Sequence, residues 1–259
     1  AYPYFHCNGS SPLIYELVVQ FARHWNELSE TTDSEHVDID TEARAQLEAL
    51  VRQIHQCCKE QPTKASWRDS CGDTALHRLC QVARFPSLDD TGTAISFAQM
   101  LVSVAEALVD AHQYPGSATR ACNNWKETPL HQFCSHCAFP NNILVGDGGD
   151  ESLLKHVEKN PMFKLLKLLS RDGACSLRNC WGSYPLYDAC GLPGWELPLT
   201  DNDKGWKRPH DTSLFLKWMK QQHGCMIHFL ISQNVKAVGL LRVEDGQTPL
   251  YRAFQSLKC

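Results

Sequence analysis

The sequence predicts an all-α fold, a solenoid of stacked helix pairs joined by short hairpin fingers. Three observations carry that expectation. A short segment recurs along the chain, each copy reads as a turn followed by a helix start, and most copies are followed by a second amphipathic stripe. Four copies are close: Gly72–Cys80 (GDTALHRLC), Lys126–Cys134 (KETPLHQFC), Gly182–Cys190 (GSYPLYDAC) and Gly246–Phe254 (GQTPLYRAF). A fifth, Gly9–Leu17 (GSSPLIYEL), is looser. The anchors at 9, 72, 126, 182 and 246 are spaced 63, 54, 56 and 64 residues apart.

Each residue of the segment has a local task. The anchoring glycine permits the positive φ of a tight turn. Asp69, Asn123 and Asn179, three residues earlier, are Asx-turn formers that close the turn. Thr or Ser supplies an N-cap oxygen, Pro fits the first helical turn, and Leu is the first core residue. The eighth residue past the anchor is Leu17, Cys80, Cys134, Cys190 or Phe254, a pattern that marks a core position.

Second helices are expected near 42–60, 93–113, 161–172 and 223–235. In the second of these Ala94, Phe97, Leu101, Val104, Leu108 and Ala111 recur at steps of three and four. Between the helices fall insertions at 28–40, 84–92, 138–160 and 191–222, polar and glycine-rich and expected as loops, with a further short helix over 212–222.

These segments resemble the ankyrin repeat signature, Asp-x-x-Gly-x-Thr-Pro-Leu-His-x-Ala-Ala, most closely at Asp69–Cys80 and Asn123–Cys134. The resemblance implies a hairpin finger and two antiparallel helices per unit, a histidine that hydrogen-bonds around the turn, and protein binding as the usual role. The units would be approximately 1–66, 67–120, 121–176, 177–240 and a partial 241–259. Departures are Lys126 at a glycine position, Tyr184 for Thr, Tyr187 and Tyr251 for His, and Val243 for Asp. The units are also far longer than the family's roughly 33 residues.

Composition narrows the function. The chain has 259 residues and a formal charge of -4, with 25 Lys+Arg against 29 Asp+Glu, so no basic excess exists to neutralise phosphates. No stretch is apolar enough for a membrane span. Thirteen cysteines set singly in apolar runs suit a reducing compartment, cytoplasmic or nuclear, with an organelle also compatible.

His131, Cys134, His136 and Cys137 look like a zinc cluster, yet His131 and Cys134 fall on repeated structural positions and no second C-x-x-C completes the set. No cofactor is expected. No nucleophile elbow, phosphate loop, dinucleotide fingerprint or H-E-x-x-H occurs, so no catalytic residue is assigned. Seven carboxylates over 27–42 read as a solvated acidic loop, and Lys204–Arg208 is too small a basic patch to argue for RNA.

The candidate partner-binding residues lie on the finger tips: Asp73, Asn124, Trp125, Glu127, Trp181, Glu244 and Asp245. Trp125 and Trp181 share one tip position in consecutive units, and Trp is the residue type most enriched at binding hot spots. The expected function is a scaffold or adaptor that binds protein through its tips and concave face. The alternative is a permanent subunit of a large assembly, with a Cys/His-dependent enzyme or zinc site third. The incomplete fifth unit leads us to expect either more chain beyond Cys259 or a covering subunit.

Overall fold

The computed structural model describes residues 11–30, 38–83, 91–112, 117–136, 160–190, 226–243, 245–249 and 251–252. Among these residues all regular structure is helical and no strand forms. The helices are α1 (Leu13–Glu30), α2 (Asp38–Glu60), α3 (Ala75–Gln81), α4 (Thr91–Asp110), α5 (Pro129–His136), α6 (Pro161–Leu169), α7 (Pro185–Cys190) and α8 (226–233).

Spacing explains the helices and packing explains their stability. In α1, Ile14, Leu17, Val18, Phe21, Ala22 and Trp25 recur at steps of three and four, and all are buried. By contrast α3, α5 and α7 have six to eight residues each, too few to persist alone in water. Their leucines, Leu76, Leu130 and Leu186, are buried in the common core. Cys80, Cys134 and Cys190 are buried beside them, as the repeated position predicts.

Helix contacts form two rows. In the first, α1 packs on α3, α3 on α5 and α5 on α7; in the second, α2 packs on α4 and α4 on α6. Cross-contacts α1–α2, α3–α4 and α5–α6 join the rows. The Phe229 ring of α8 meets Phe163 of α6 edge-on at 5.4 Å, which extends the second row. After second-row helices the chain makes a short 3-10 turn, at Pro62–Ser66, Arg171–Ser176 and Val235–Gly239, each with a buried alanine (Ala65, Ala174, Ala237).

Several boundaries differ from the sequence reading. Helix α1 runs to Glu30 and α2 begins at Asp38, so Glu27, Glu30, Asp38, Asp40 and Glu42 lie on helices rather than in an acidic loop. Asp33 and Glu35 lie outside the described residues. Helix α4 spans 91–110, and α8 ends at 233, two residues before the expected 235, while 223–225 lie outside the described residues. Helix α6 stops at Leu169 because Asp172 and Gly173 take positive φ of 58° and 78°. The insertions 138–159 and 191–222, with the short helix and basic patch expected there, also lie outside the described residues.

The expected fingers are tight turns with single rungs. In each, the backbone closes on itself: Asp69 N–H donates to Asp73 O, Asn123 to Glu127 and Asn179 to Ser183, at 2.9–3.0 Å. The Oδ1 of the same Asp or Asn accepts two further backbone N–H groups, the Asx geometry. Successive turns are then tied by one bond each: Asn124 N–H to Cys71 O, Cys180 to Trp125 and Val243 to Trp181. The last turn carries one extra residue, because Arg242 N–H pairs with Gln247 O. Arg242, rather than Val243, therefore stands where the other turns have Asp or Asn.

The four anchors among the described residues take positive φ, 79° at Gly72, 60° at Lys126, 78° at Gly182 and 67° at Gly246, while Gly9 lies outside the described residues. A Cβ on Gly72 would sit 2.6 Å from Asn124 Oδ1 and 2.9 Å from its backbone N, whereas one on Gly246 would meet nothing within 4 Å. Gly72→Ala should therefore cost about 2–3 kcal/mol and Gly246→Ala only about 1 kcal/mol, read as urea midpoints. Relief of left-handed strain in Lys126→Gly should stabilise by about 0.5–1 kcal/mol.

Candidate functional site

The row of turns and the helix starts beneath it carry the polar chemistry of the chain. Thr74 caps α3, and its N–H and hydroxyl lie 3.1 and 2.9 Å from Nδ1 of His77. With Nδ1 accepting, the proton sits on Nε2, which donates to the carbonyl of Glu127 in the next turn at 3.0 Å. Thr128 and His131 repeat this geometry, and His131 Nε2 donates to Ser183 O at 3.2 Å. Both imidazoles are fully buried, and burial pushes each down to about 4, only partly offset by the accepting carbonyl.

One unit further on the chemistry changes. Tyr187, at the histidine place, sends its hydroxyl to Asp245 Oδ2 at 3.0 Å. Tyr184, at the threonine place, accepts a bond from Arg178 Nε at 2.8 Å and lies under its guanidinium. The unit-to-unit link survives, made by a longer side chain.

A second polar line is formed by residues one and six past each anchor: Asp73 and Arg78, Glu127 and Gln132, Ser183 and Asp188, Gln247 and Arg252. Asp73 accepts from Asn123 Nδ2 at 3.0 Å and Gln81 Nε2 at 3.1 Å. Glu127 Oε2 accepts from Asn123 and Gln132. Tyr15 OH donates to Asp69 at 2.6 Å, and Arg78 reaches both, tying α1 to the first turn. Burial pushes the Asp69 carboxyl up, but those bonds outweigh it and leave it lowered. Ser183 Oγ and Asp188 Oδ2, in contrast, are shielded from water without a hydrogen-bond partner.

Of the tip residues proposed from sequence, Trp125 is 43% exposed, while Trp181 is partly buried. Asp73 is buried, Glu127 partly buried, and Asn124 donates its amide to Ser70 O. Asp245 is held by Tyr187, Arg242 and the Gln247 N–H. Glu244 lies outside the described residues. The bonded tip is thus mostly internal structure, with Trp125 projecting from it.

Of the zinc-like set, both ring nitrogens of His131 are engaged, Cys134 is buried, and His136 ends α5 partly buried. Cys137 lies outside the described residues. Among the described residues no group of three or more His, Cys, Asp or Glu is placed to hold a metal. A cavity of about 220 Å³ is lined by Thr63, Ser66, Arg68, Thr74, His112 and Ser117. Within it His112 Nδ1 lies 2.9 Å from Ser117 Oγ, and Arg68 donates to the carbonyls of Gly72 and Cys122.

Sequence reading missed the Asp188 position. Its signal was the series Arg78, Gln132, Asp188, Arg252, charged or polar residues at one repeated place on otherwise apolar helix starts. No protein-family model matches the chain, and no curated protein is similar to it. Among the described residues no helix is long and apolar enough to cross a membrane.

Both histidines bind protons far less readily folded than unfolded, where they titrate near 6.5. The unfolded chain therefore takes up more protons, and folding stability should fall as pH drops from about 6.5 to about 4, by on the order of 3 kcal/mol per ring. Urea unfolding across that range checks this, and His131→Gln should flatten part of the slope.

Proposed function

We propose that the chain is a divergent ankyrin-like solenoid that serves as a protein-interaction module, with no chemistry of its own. The observation that carries this reading is Trp125, a large aromatic left 43% exposed at the tip of a turn that is fixed on both sides by backbone bonds. A rigidly held Trp loses little entropy on docking and buries a large apolar area, the behaviour of a binding anchor. Trp181 is the equivalent residue one turn along and would form the edge of the same contact.

Support for the stack comes from the two rows of helices and from the turn-to-turn bonds, each of which recurs at the interval of the sequence repeat. Cys57, Cys58, Cys71, Cys80, Cys122, Cys175 and Cys180 are free thiols, in keeping with a reducing, cytoplasmic or nuclear setting.

The second reading, a permanent subunit of a larger assembly, draws on Val235, Leu241, Val243 and Tyr251, which are 53–76% exposed around the last turn. The two differ in the interface they require: large and apolar for a permanent subunit, smaller and more polar for an adaptor.

Crosslinking mass spectrometry on the native protein should place partner crosslinks beside the Trp125 turn. Trp125→Ala should then weaken that partner by about 2 kcal/mol or more, roughly 30-fold in Kd, with unchanged circular dichroism. Unchanged affinity in the Trp125→Ala, Trp181→Ala double variant would overturn the reading.

A further inference from the structure

The polar line beneath the turns is satisfied until it reaches α7. Asp73 and Glu127 each accept bonds from amide side chains, but Asp188, next in the series and half-buried as a residue, has an Oδ2 shielded from water without a hydrogen-bond partner. Ser183 Oγ, the neighbouring position on the same line, is likewise buried without a partner. A carboxylate in that place is costly, because an ionised oxygen loses its hydration without a replacement. The carboxylic acid loses far less.

We propose that Asp188 is a proton-operated latch for the last turn: protonated, it lets residues 240–243, 245–249 and 251–252 stay docked on α7, and ionised, it favours local opening that returns the carboxylate to water.

The charged groups around it fix the sign. Burial lifts the Asp188 carboxyl to about 7, and the Glu127 carboxylate from the preceding turn lifts it further, while Arg252 and Arg242 of the docked segment pull it down and lose that contest. Burial pushes Glu127 up as well, and from α5 His131 presents a neutral ring. On α7 itself Cys190 is a buried thiol pushed up to about 12, hence neutral. The 171–176 and 235–239 turns, also packed on α7, carry Arg171, Asp172 and Lys236, all exposed, where solvent screens them.

The docked form therefore holds the proton more tightly than a hydrated form, whose carboxyl titrates near 3.8, and docking weakens as pH rises from about 3.8 to about 7 and levels off above that. The last turn is the part placed to respond. It is held by the Val243 N–H to Trp181 O bond and by Tyr187 on Asp245, while Leu241, Val243 and Tyr251 stay mostly exposed and bury little apolar area.

The test is amide exchange on the intact chain at Val243 and Gly246, corrected for intrinsic rates, at about pH 6 and about pH 8, with the Asp188 carboxyl followed by carbon NMR. We expect that carboxyl to titrate near neutrality and protection at both amides to fall by up to about tenfold over the range, levelling off above the carboxyl's midpoint. In Asp188→Asn the fall should vanish, and in Glu127→Gln its midpoint should move to lower pH. A carboxyl titrating below about 5, protection that does not change with pH, or an Asp188→Asn chain that keeps the wild-type dependence would each overturn the latch. Should Asp188→Asn fail to fold, the carboxyl titration of the native chain still decides.

Discussion

One group, a neutral buried imidazole, fixes the spacing of the turns on which the rest of the structure depends. His77 closes its own helix start by accepting at Nδ1 from Thr74, and reaches the next turn by donating from Nε2 to Glu127 O. His131 does the same from Thr128 to Ser183 O. A protonated ring would have two donors and no acceptor, so the capping contact requires the neutral form. Burial enforces that form, and the form in turn makes burial tolerable. Because each ring spans two units, a helix start in one unit sets the height of the turn in the next, and the backbone bonds between turns follow from that register.

That constraint also accounts for what the chain can vary. Contacts run between neighbours in each row and within pairs, so sequence inserted between the two helices of a unit need not disturb the bonded turns. Lengthening a surface connection costs only about 0.6 kcal/mol per doubling, which fits spacings of 54–64 residues between anchors. Near the end of the row the constraint loosens. Tyr187 reaches side chains of the next turn rather than its carbonyl, and that turn accommodates an extra residue at Arg242 and Val243.

Much of this was legible in sequence because it is local. Gly72, Gly182 and Gly246 implied positive φ, and Asp69, Asn123 and Asn179 implied Asx turns; the side chain in each case bonds within four residues of itself. The shared core place of Cys80, Cys134 and Cys190 followed from the register alone. What sequence could not supply depends on distance. The Tyr15–Asp69–Arg78 cluster joins residues 54 and 63 apart, and the extra residue in the last turn is visible only from its bonding partner. Asp188 was hidden for the same reason: its neighbours Glu127, Arg242 and Arg252 come from two other units.

The same bonding narrows how the proposed interaction could work. Polar tip groups that seemed available in sequence are already engaged: Asn124 on Ser70, Asp73 on Asn123 and Gln81, Asp245 on Tyr187 and Arg242. Recruiting them to a partner would mean breaking internal bonds, with a desolvation penalty for any group left unmatched. Trp125 carries no such penalty, since its ring is exposed and its backbone is already fixed. Recognition along this edge would therefore be led by aromatic contact and shape, while the polar groups hold the tips in register so that the aromatic surface is presented in one geometry.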